Sequence, residues 1–454
     1  MHTLIRDVVA FSLLSSAMAL GAEPLTLTQP KSCQVLQRIG VGPGKGYADV
    51  QISGLLPAAA HEATWEYHIV GLADQPQQPG KTDAASEWTS VIPTITGDTF
   101  QATVPVPAGG WYRLECRCRV DDNVLATGAV EPIGVGEVFV VAGQSYATNC
   151  NDERLTVADP QQRVVAFDSA KQSWAVANDP QPVFDGSDGG SIWPPLGDAL
   201  AKEFGVPIGF ANVAIGGSSS AQWLPDGDML PRLINAGKTL GAFRAVLWQQ
   251  GESDVITKNP TVGYVANIKT IRETAAKAWG DSPPWLLAKS TQHPTVYNDP
   301  EGEGRIRAGI DELTKQPGFL PGPDTDTLTG ENRGDINSRR HFTGIGQRRA
   351  ADMWLTSIRQ ELLTTKDEGD GLRVGMAASN IVIAATHSHT APDYMTELWL
   401  YLGKEKQEPQ RVEYIEKLIN GPVDAIVRAH EDAGNFTLST GVGTVERGRD
   451  NLRP

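Results

Sequence analysis

Val138-Phe139-Val140-Val141-Ala142-Gly143-Gln144-Ser145 is an apolar run that ends abruptly in Gly-Gln-Ser. A run of β-branched and aromatic residues predicts a strand buried on both faces of a parallel sheet. The glycine at its carboxyl end lets the chain turn sharply, which presents Ser145 where ligands of α/β sheets bind, outside the carboxyl ends of the strands. A strand ending in Gly-x-Ser is by itself more often an ordinary turn than a nucleophile, so its meaning depends on its surroundings.

From Gly136 onward the pattern alternates between strands and helices. Residues 137–142, 208–214, 245–249 and 285–289 read as strands, and residues 195–204, 262–279 and 346–362 as helices. Such alternation predicts a parallel sheet with helices on both faces, here a catalytic α/β domain over 135–365. Upstream, short strands at 48–52, 64–70, 88–92, 100–104 and 111–120 are separated by Pro, Gly, Asp and Gln, which predicts a small β-sandwich accessory domain over 23–134. Downstream, a linker is expected over 366–379. A partial α/β segment follows over 380–454, with a strand at 380–386 and helical periodicity at 410–433.

The chain of 454 residues is 40% hydrophobic and 20% charged, enough for two or three domains with sizeable cores. Its formal net charge is −15, and it has no Lys/Arg cluster suited to neutralising phosphates, which argues against nucleic acid or an anionic membrane as partner. Arg6 precedes an apolar stretch from Val8 to Leu20 and the small residues Gly21 and Ala22. This is the order of charged, apolar and small-residue regions in a signal peptide, expected here over 1–22. It predicts a secreted or periplasmic protein with no membrane contact once the signal is removed. Four cysteines, Cys33, Cys116, Cys118 and Cys150, follow no metal or disulfide-scaffold spacing. Cys116 and Cys118 face the same way on a strand, so either is able to meet Cys33.

Two of the eight histidines, His293 and His341, fall in the expected catalytic domain. His293 precedes a proline in a loop and reads as structural or substrate-contacting. His341 lies just before a helix and is the better candidate base for a nucleophilic serine. Two more segments belong beside Ser145 in such a sheet. Asn212-Val-Ala-Ile-Gly-Gly-Ser218 ends a strand in a Gly-Gly turn that exposes backbone N–H groups, and Leu247-Trp-Gln-Gln-Gly-Glu-Ser-Asp254 ends another in hydrogen-bonding side chains. Acyl transfer needs donors of this kind aimed at a developing oxyanion.

Taken in order, these four segments resemble the SGNH hydrolase superfamily. Within it they resemble the carbohydrate acetylesterases that include sialate O-acetylesterase and acetylxylan esterase. Gly143-Gln-Ser-Tyr146 is similar to that group's Gly-Gln-Ser-Asn block, Gly216-Gly-Ser-Ser-Ser-Ala-Gln-Trp223 to its Gly-Gly-Thr block, and Gln250-Gly-Glu-Ser-Asp254 to its Gln-Gly-Glu-Ser block. The resemblance implies a three-layer α/β/α fold of SGNH type and a serine esterase that needs no cofactor or metal. Its implied substrate is an acetylated carbohydrate, a sialic acid or a xylan-type glycan, deacetylated through an acetyl-serine. Ser145 would be the nucleophile and His341 the base, while the oxyanion hole would combine the N–H groups of Ser145 and Gly217 with the side-chain amide of Gln250. Glu252 and Asp254 are expected to brace their loop.

The chain departs from the family pattern at two positions. Tyr146 replaces the asparagine after the serine, and Ser338 stands where an aspartate three residues before the histidine is usual. Asp335, six residues before His341, is the expected acid of the triad, with Asp326 second. A Ser-His dyad, its ring oriented by Ser338 or a backbone carbonyl, is the alternative. A catalytically weak carbohydrate-binding relative is the runner-up for the whole protein.

Asn380-Ile-Val-Ile-Ala-Ala-Thr-His-Ser-His-Thr-Ala-Pro-Asp393 resembles part of the N-terminal domain of neutral/alkaline ceramidases, in which this motif belongs to a zinc site. His387 is the matching candidate ligand for a zinc amidohydrolase. A catalytic zinc needs about three protein ligands, and no convincing set of others follows, so the expectation is an incomplete and inactive segment.

Overall fold

The computed structural model describes residues 22–57, 60, 63–72, 87–293, 297–334 and 340–363. Two compact units divide the chain, Met1–Thr365 and Lys366–Pro454, and all described residues belong to the first. The expected signal peptide up to residue 21, the linker, the ceramidase-like segment with His387, and Asp335 and Ser338 lie outside the described residues.

The N-terminal part is a sandwich of two sheets. One has the order β2 (Leu27–Gln29), β4 (Tyr47–Leu55), β8 (Thr99–Pro107) and β7 (Thr94–Thr96). The other places β6 (Thr89–Val91), β5 (Thr64–Gly71) and β9 (Gly109–Val120) beside β10 (Asn123–Gly143), to which β1 (Glu23–Pro24) and β3 (Gln34–Gln37) add in parallel. Period-2 alternation drives the packing: Ala48, Val50 and Ile52 of β4 and Phe100, Ala102, Val104 and Val106 of β8 are buried, while their neighbours face out. Trp65 closes on Phe100 with ring centroids 4.4 Å apart. Cys116 and Cys118 do point the same way, into this core, and all four cysteines are free thiols, so neither meets Cys33 in a disulfide.

The boundary expected at 134/135 falls inside a single unbroken strand. β10 pairs with β9 and β3 as far as Val135 and Gly136, then enters the second sheet as Glu137 pairs with Ile208. At this crossing Glu137 is fully buried between two arginines, with Arg38 Nε 2.7 Å from its Oε1 and Arg244 Nε 2.7 Å from its Oε2. Arg244 Nη2 also donates to Oε1 at 3.2 Å, and Gln37 adds a fourth hydrogen bond at 3.0 Å. Burial alone would raise the Glu137 pKa, but the two guanidinium charges hold it below the usual carboxylate range.

The second sheet runs β12-β11-β13-β10-β14-β15-β16, where β11 is Val164–Asp168, β12 Ser173–Val176, β13 Ile208–Asn212, β14 Ala245–Gln249, β15 Trp285–Lys289 and β16 Phe319–Asp324. Every neighbouring pair from β11 to β16 is parallel; the edge strand β12 is antiparallel. Phe139 and Val141 face α1 (Trp193–Phe204) and α6 (Gly344–Ile358) on one side. Val140 and Ala142 belong to the opposite core with α2 (Leu230–Leu240), α4 (Thr261–Trp279) and α5 (Pro300–Leu313). The result is the three-layer α/β/α arrangement expected.

β10 lies between β13 and β14, so successive connections leave it in opposite directions. That makes its carboxyl end the topological switch point, where a crevice opens between diverging loops. Gly143-Gln144-Ser145 occupies this point.

Candidate active site

The turn after β10 is shaped by close backbone packing. Gly143 has φ +131°, and a Cβ there would fall 2.1 Å from the Gln249 carbonyl oxygen of β14, so no side chain fits. Gln144 N then donates to that same carbonyl at 2.9 Å. Ser145 opens a short 3₁₀ turn, Ser145–Ala147, whose last carbonyl accepts from Trp193 Nε1 at 2.8 Å and from Asn212 Nδ2 at 2.7 Å. The serine is thereby fixed on rigid neighbours while remaining partly exposed.

A cleft of about 510 Å³ opens above it, lined by Ser145 and Gln144, by Gly216, Gly217 and Ser219 of the loop after β13, by Ser253 of the short helix α3 (Glu252–Ile256) that follows β14, and by His293, Arg340 and His341. Ser145, Gly217 and His341 therefore share one cleft, as the sequence expectation requires. Gly217 has φ +71° with open space where a Cβ would stand, so its glycine serves the backbone conformation rather than packing. Among the described residues, neither the Ser145 nor the Gly217 N–H has an acceptor.

Gln250 is not in the cleft. It is completely buried, and its Nε2 lies 2.5 Å from Asp254 Oδ2, 3.2 Å from Ser218 O and 3.3 Å from Gln144 Oε1. The structure thus departs from the expectation that its amide faces the oxyanion: the carboxylate of Asp254 holds it inward. Asp254 also accepts from Ser220 N at 2.7 Å, Ser220 Oγ at 2.6 Å and Asn259 Nδ2 at 2.7 Å, tying the loops after β13 and β14 together.

Glu252 is buried with Oε1 accepting from Ser290 Oγ at 2.8 Å, and its Oε2 has no partner among the described residues. Burial pushes its pKa up to about 8, against the pull of hydrogen bonds from its own backbone and Ser290, so it is mostly protonated at neutral pH.

His341 is 5% exposed and sits on the segment leading to α6, whose first turn is capped by Thr343 Oγ1 accepting from Gly346 N at 3.2 Å. Asp326, the second candidate acid, is used elsewhere. Its carboxylate accepts from Thr291 N, Thr291 Oγ1, Gln292 N and Arg307 Nη1 at 2.7–3.0 Å, bracing the turn that leads to His293.

Tyr146, one of the departures from the family pattern, proves central to the histidine. Its hydroxyl donates to the main-chain carbonyl of Arg340 and accepts from Arg333 Nη1. Its ring meets that of His341 edge-on at 5.3 Å and Phe342 at 4.7 Å, with the Arg333 guanidinium 4.8 Å over its face. Burial raises the phenol's pKa, keeping it a neutral donor. Gln144, Arg333 and Arg340 were not singled out from the sequence; adjacency to Ser145 and His341 offered a signal for Gln144 and Arg340, and none marked Arg333.

Among curated proteins, none matches this chain. Solved structures with a similar fold include a carbohydrate acetylesterase from Xanthomonas citri, 17% identical over 75% of this chain and 74% of that one, with a TM-score of 0.45. A family two carbohydrate esterase from Clostridium thermocellum in complex with cellohexaose is 12% identical over 71% and 95% of the two chains, with a TM-score of 0.32. An Arabidopsis thaliana protein is 18% identical over 50% and 98%, with a TM-score of 0.39. Residues 135–283 match the family of carbohydrate esterases described as sialic acid-specific acetylesterases, which makes this part of the chain a carboxylic ester hydrolase domain.

Proposed function

We propose that the protein removes O-acetyl groups from a carbohydrate through an acetyl-Ser145 intermediate. The observation that carries this reading is the convergence of Ser145, Gly217 and His341 on one cleft at the switch point of the sheet. His341 takes the proton from Ser145 Oγ as the oxygen attacks the acetyl carbonyl carbon, and the carbonyl oxygen gains the negative charge. The N–H groups of Ser145 and Gly217 receive that oxyanion. Collapse breaks the bond to the sugar oxygen, which takes the proton from His341; water then attacks the acetyl-serine by the same path and releases acetate. Asp335 orients the imidazole, as its place six residues before His341 suggests.

The cleft also favours one class of sugar. Its lining includes Arg340 and two histidines and, among the described residues, no aspartate or glutamate, in a protein of net charge −15. The fixed positive charge among the described lining residues is the guanidinium of Arg340, which attracts an anionic ligand and pairs well with a carboxylate, whereas His341 is neutral when it acts as base. We therefore favour an acetylated sugar acid of the sialic acid class over neutral xylan. The N-terminal 22 residues act as a signal for export in this reading. Acetate release from O-acetylated sialic acid, acetylated xylan and acetylated pectin tests it, and preference for neutral xylan would overturn the choice of sugar.

A further inference from the structure

We propose that Asp185 is a positioning residue for the oxyanion hole: it fixes the Gly216-Gly217 turn that aims the Gly217 N–H and ties that turn to the nucleophile's own segment. This rests on the serine-esterase reading above. Nothing in the sequence singles out Asp185, since Asp185-Gly186 in a loop reads as an ordinary turn.

The two backbone donors come from different strand ends, Ser145 after β10 and Gly217 after β13. Residues Ile215 to Ser218 form a reverse turn, closed by Ser218 N donating to Ile215 O at 3.3 Å and anchored at its base by Ile215 N donating to Gly143 O at 3.0 Å. Its tip is two glycines, the residue type with the most backbone freedom. Among the described residues, the single hydrogen bond to the backbone of either glycine is Gly216 N donating to Asp185 Oδ2 at 2.8 Å. A carboxylate acceptor makes such a bond about twice as strong as one between neutral groups. Gly216 permits the approach, because a Cβ there would stand 3.0 Å from the same oxygen.

Asp185 is itself held from behind. Its Oδ1 accepts from Ser187 N at 3.0 Å and from Ser187 Oγ at 2.7 Å, and Ser187 Oγ accepts from Asn149 N at 3.1 Å. Asn149 is buried four residues beyond Ser145. Its Nδ2 donates to the carbonyls of Gln181 and Ser187 at 2.8 and 3.1 Å, and its Oδ1 accepts from Gln181 N at 2.8 Å. Hydrogen bonds therefore run from the nucleophile's segment into the loop after β12 and out through Asp185 to Gly216. Asp185 does not line the cleft, so it acts through Gly216 and not by touching substrate. Oxyanion donors work within a narrow range of distance, and a misplacement of about 1 Å costs on the order of 10²-fold in rate. A network that sets both donors meets that demand.

The experiment uses the full chain and an aryl acetate. Asp185→Ala removes the acceptor, whereas Asp185→Asn removes the charge but keeps a carbonyl oxygen for Gly216 N, with its NH₂ facing Ser187 Oγ. An oxyanion contact is made in the transition state, so Asp185→Ala is expected to lower kcat about 10- to 100-fold with KM within about threefold. Asp185→Asn is expected to stay within about fivefold of wild type. The rate at which an aryl phosphonate, a tetrahedral mimic, labels Ser145 should fall together with kcat in the alanine variant. The proposal is overturned if Asp185→Ala folds and keeps kcat within about threefold, or if its loss lies in KM. It is also overturned if the asparagine variant is as slow as the alanine one, which would assign the effect to charge. Where Asp185→Ala does not fold, wild type carries the test. In ¹⁵N-glycine-labelled protein the Gly216 amide, identified by its absence in Gly216→Ala, is expected to exchange with solvent at least about 100-fold more slowly than a free glycine amide. Exchange at the free rate overturns the proposal. Absence of any phosphonate on Ser145 in wild type would instead refute the serine mechanism itself.

Discussion

The hydroxyl of Tyr146 donates to the main-chain carbonyl of Arg340, the residue immediately before His341. The residue after the nucleophile thus holds the segment that carries the proposed base, and Arg333 holds the phenol in turn. Tyr146→Phe keeps the ring against His341 and removes only these hydrogen bonds. One hydrogen bond is worth about 1 kcal/mol, and 1.4 kcal/mol is tenfold in rate, so kcat for an aryl acetate is expected to fall about tenfold. KM should change little, whereas the melting temperature is expected to fall by a few degrees because Arg333 and the Arg340 carbonyl lose a buried partner. A kcat equal to wild type would show that packing alone positions the histidine.

Asp335 lies outside the described residues, and its proposed role stands on its sequence position. If it steadies His341, Asp335→Ala should reduce kcat by up to about 10⁴-fold, the scale of losing the acid of a protease triad. A loss below about tenfold would assign the role to another group and leave a dyad.

Arg340 is expected to set the preference between acidic and neutral sugars. A charge-assisted hydrogen bond contributes about 1.5–3 kcal/mol, so Arg340→Met should lower the ratio of kcat/KM for O-acetylated sialic acid over acetylated xylan by roughly 10- to 100-fold. Competition assays at several ionic strengths measure this directly. An unchanged ratio would remove the electrostatic basis for the sugar.

Glu137 makes a separate stability prediction. Its folded-state pKa is depressed by Arg244 and Arg38, so the stabilisation is present above its unfolded value and is lost as pH falls through the folded value. Acid unfolding below about pH 4 should therefore be shallower in Glu137→Ala, which lacks this titration. At neutral pH the same variant leaves two guanidinium groups without their carboxylate and is expected to lose about 3–5 kcal/mol. Chemical denaturation across that pH range tests both statements.

Strong periodicity made most of the fold readable from sequence. β14 and β15 are found at the expected residues, and the expected strands 48–52 and 100–104 lie within β4 and β8. The elements that sequence reasoning missed have local reasons. Phe319-Leu-Pro-Gly-Pro-Asp324 reads as a turn, yet it forms β16 because an edge strand tolerates proline. α5 contains Gly302, Gly304 and Gly309, which mask its helical pattern, and it is started by Pro300 and by Asp299 accepting from Gly302 N. In the site, motif spacing brought Ser145, Gly217 and His341 together. It placed Gln250 in the same cleft because a motif records residue type and not which way an amide turns. The acceptors around Gln250, above all the Asp254 carboxylate, are what hold its amide inward.

The central claim is that Ser145 carries the acetyl group, and rapid-quench mass spectrometry during aryl acetate turnover tests it most directly. The account predicts a peptide acetylated on Ser145 that accumulates with the burst and disappears as acetate is released, with no acetylation and no turnover in Ser145→Ala. Wild-type turnover in Ser145→Ala would contradict it.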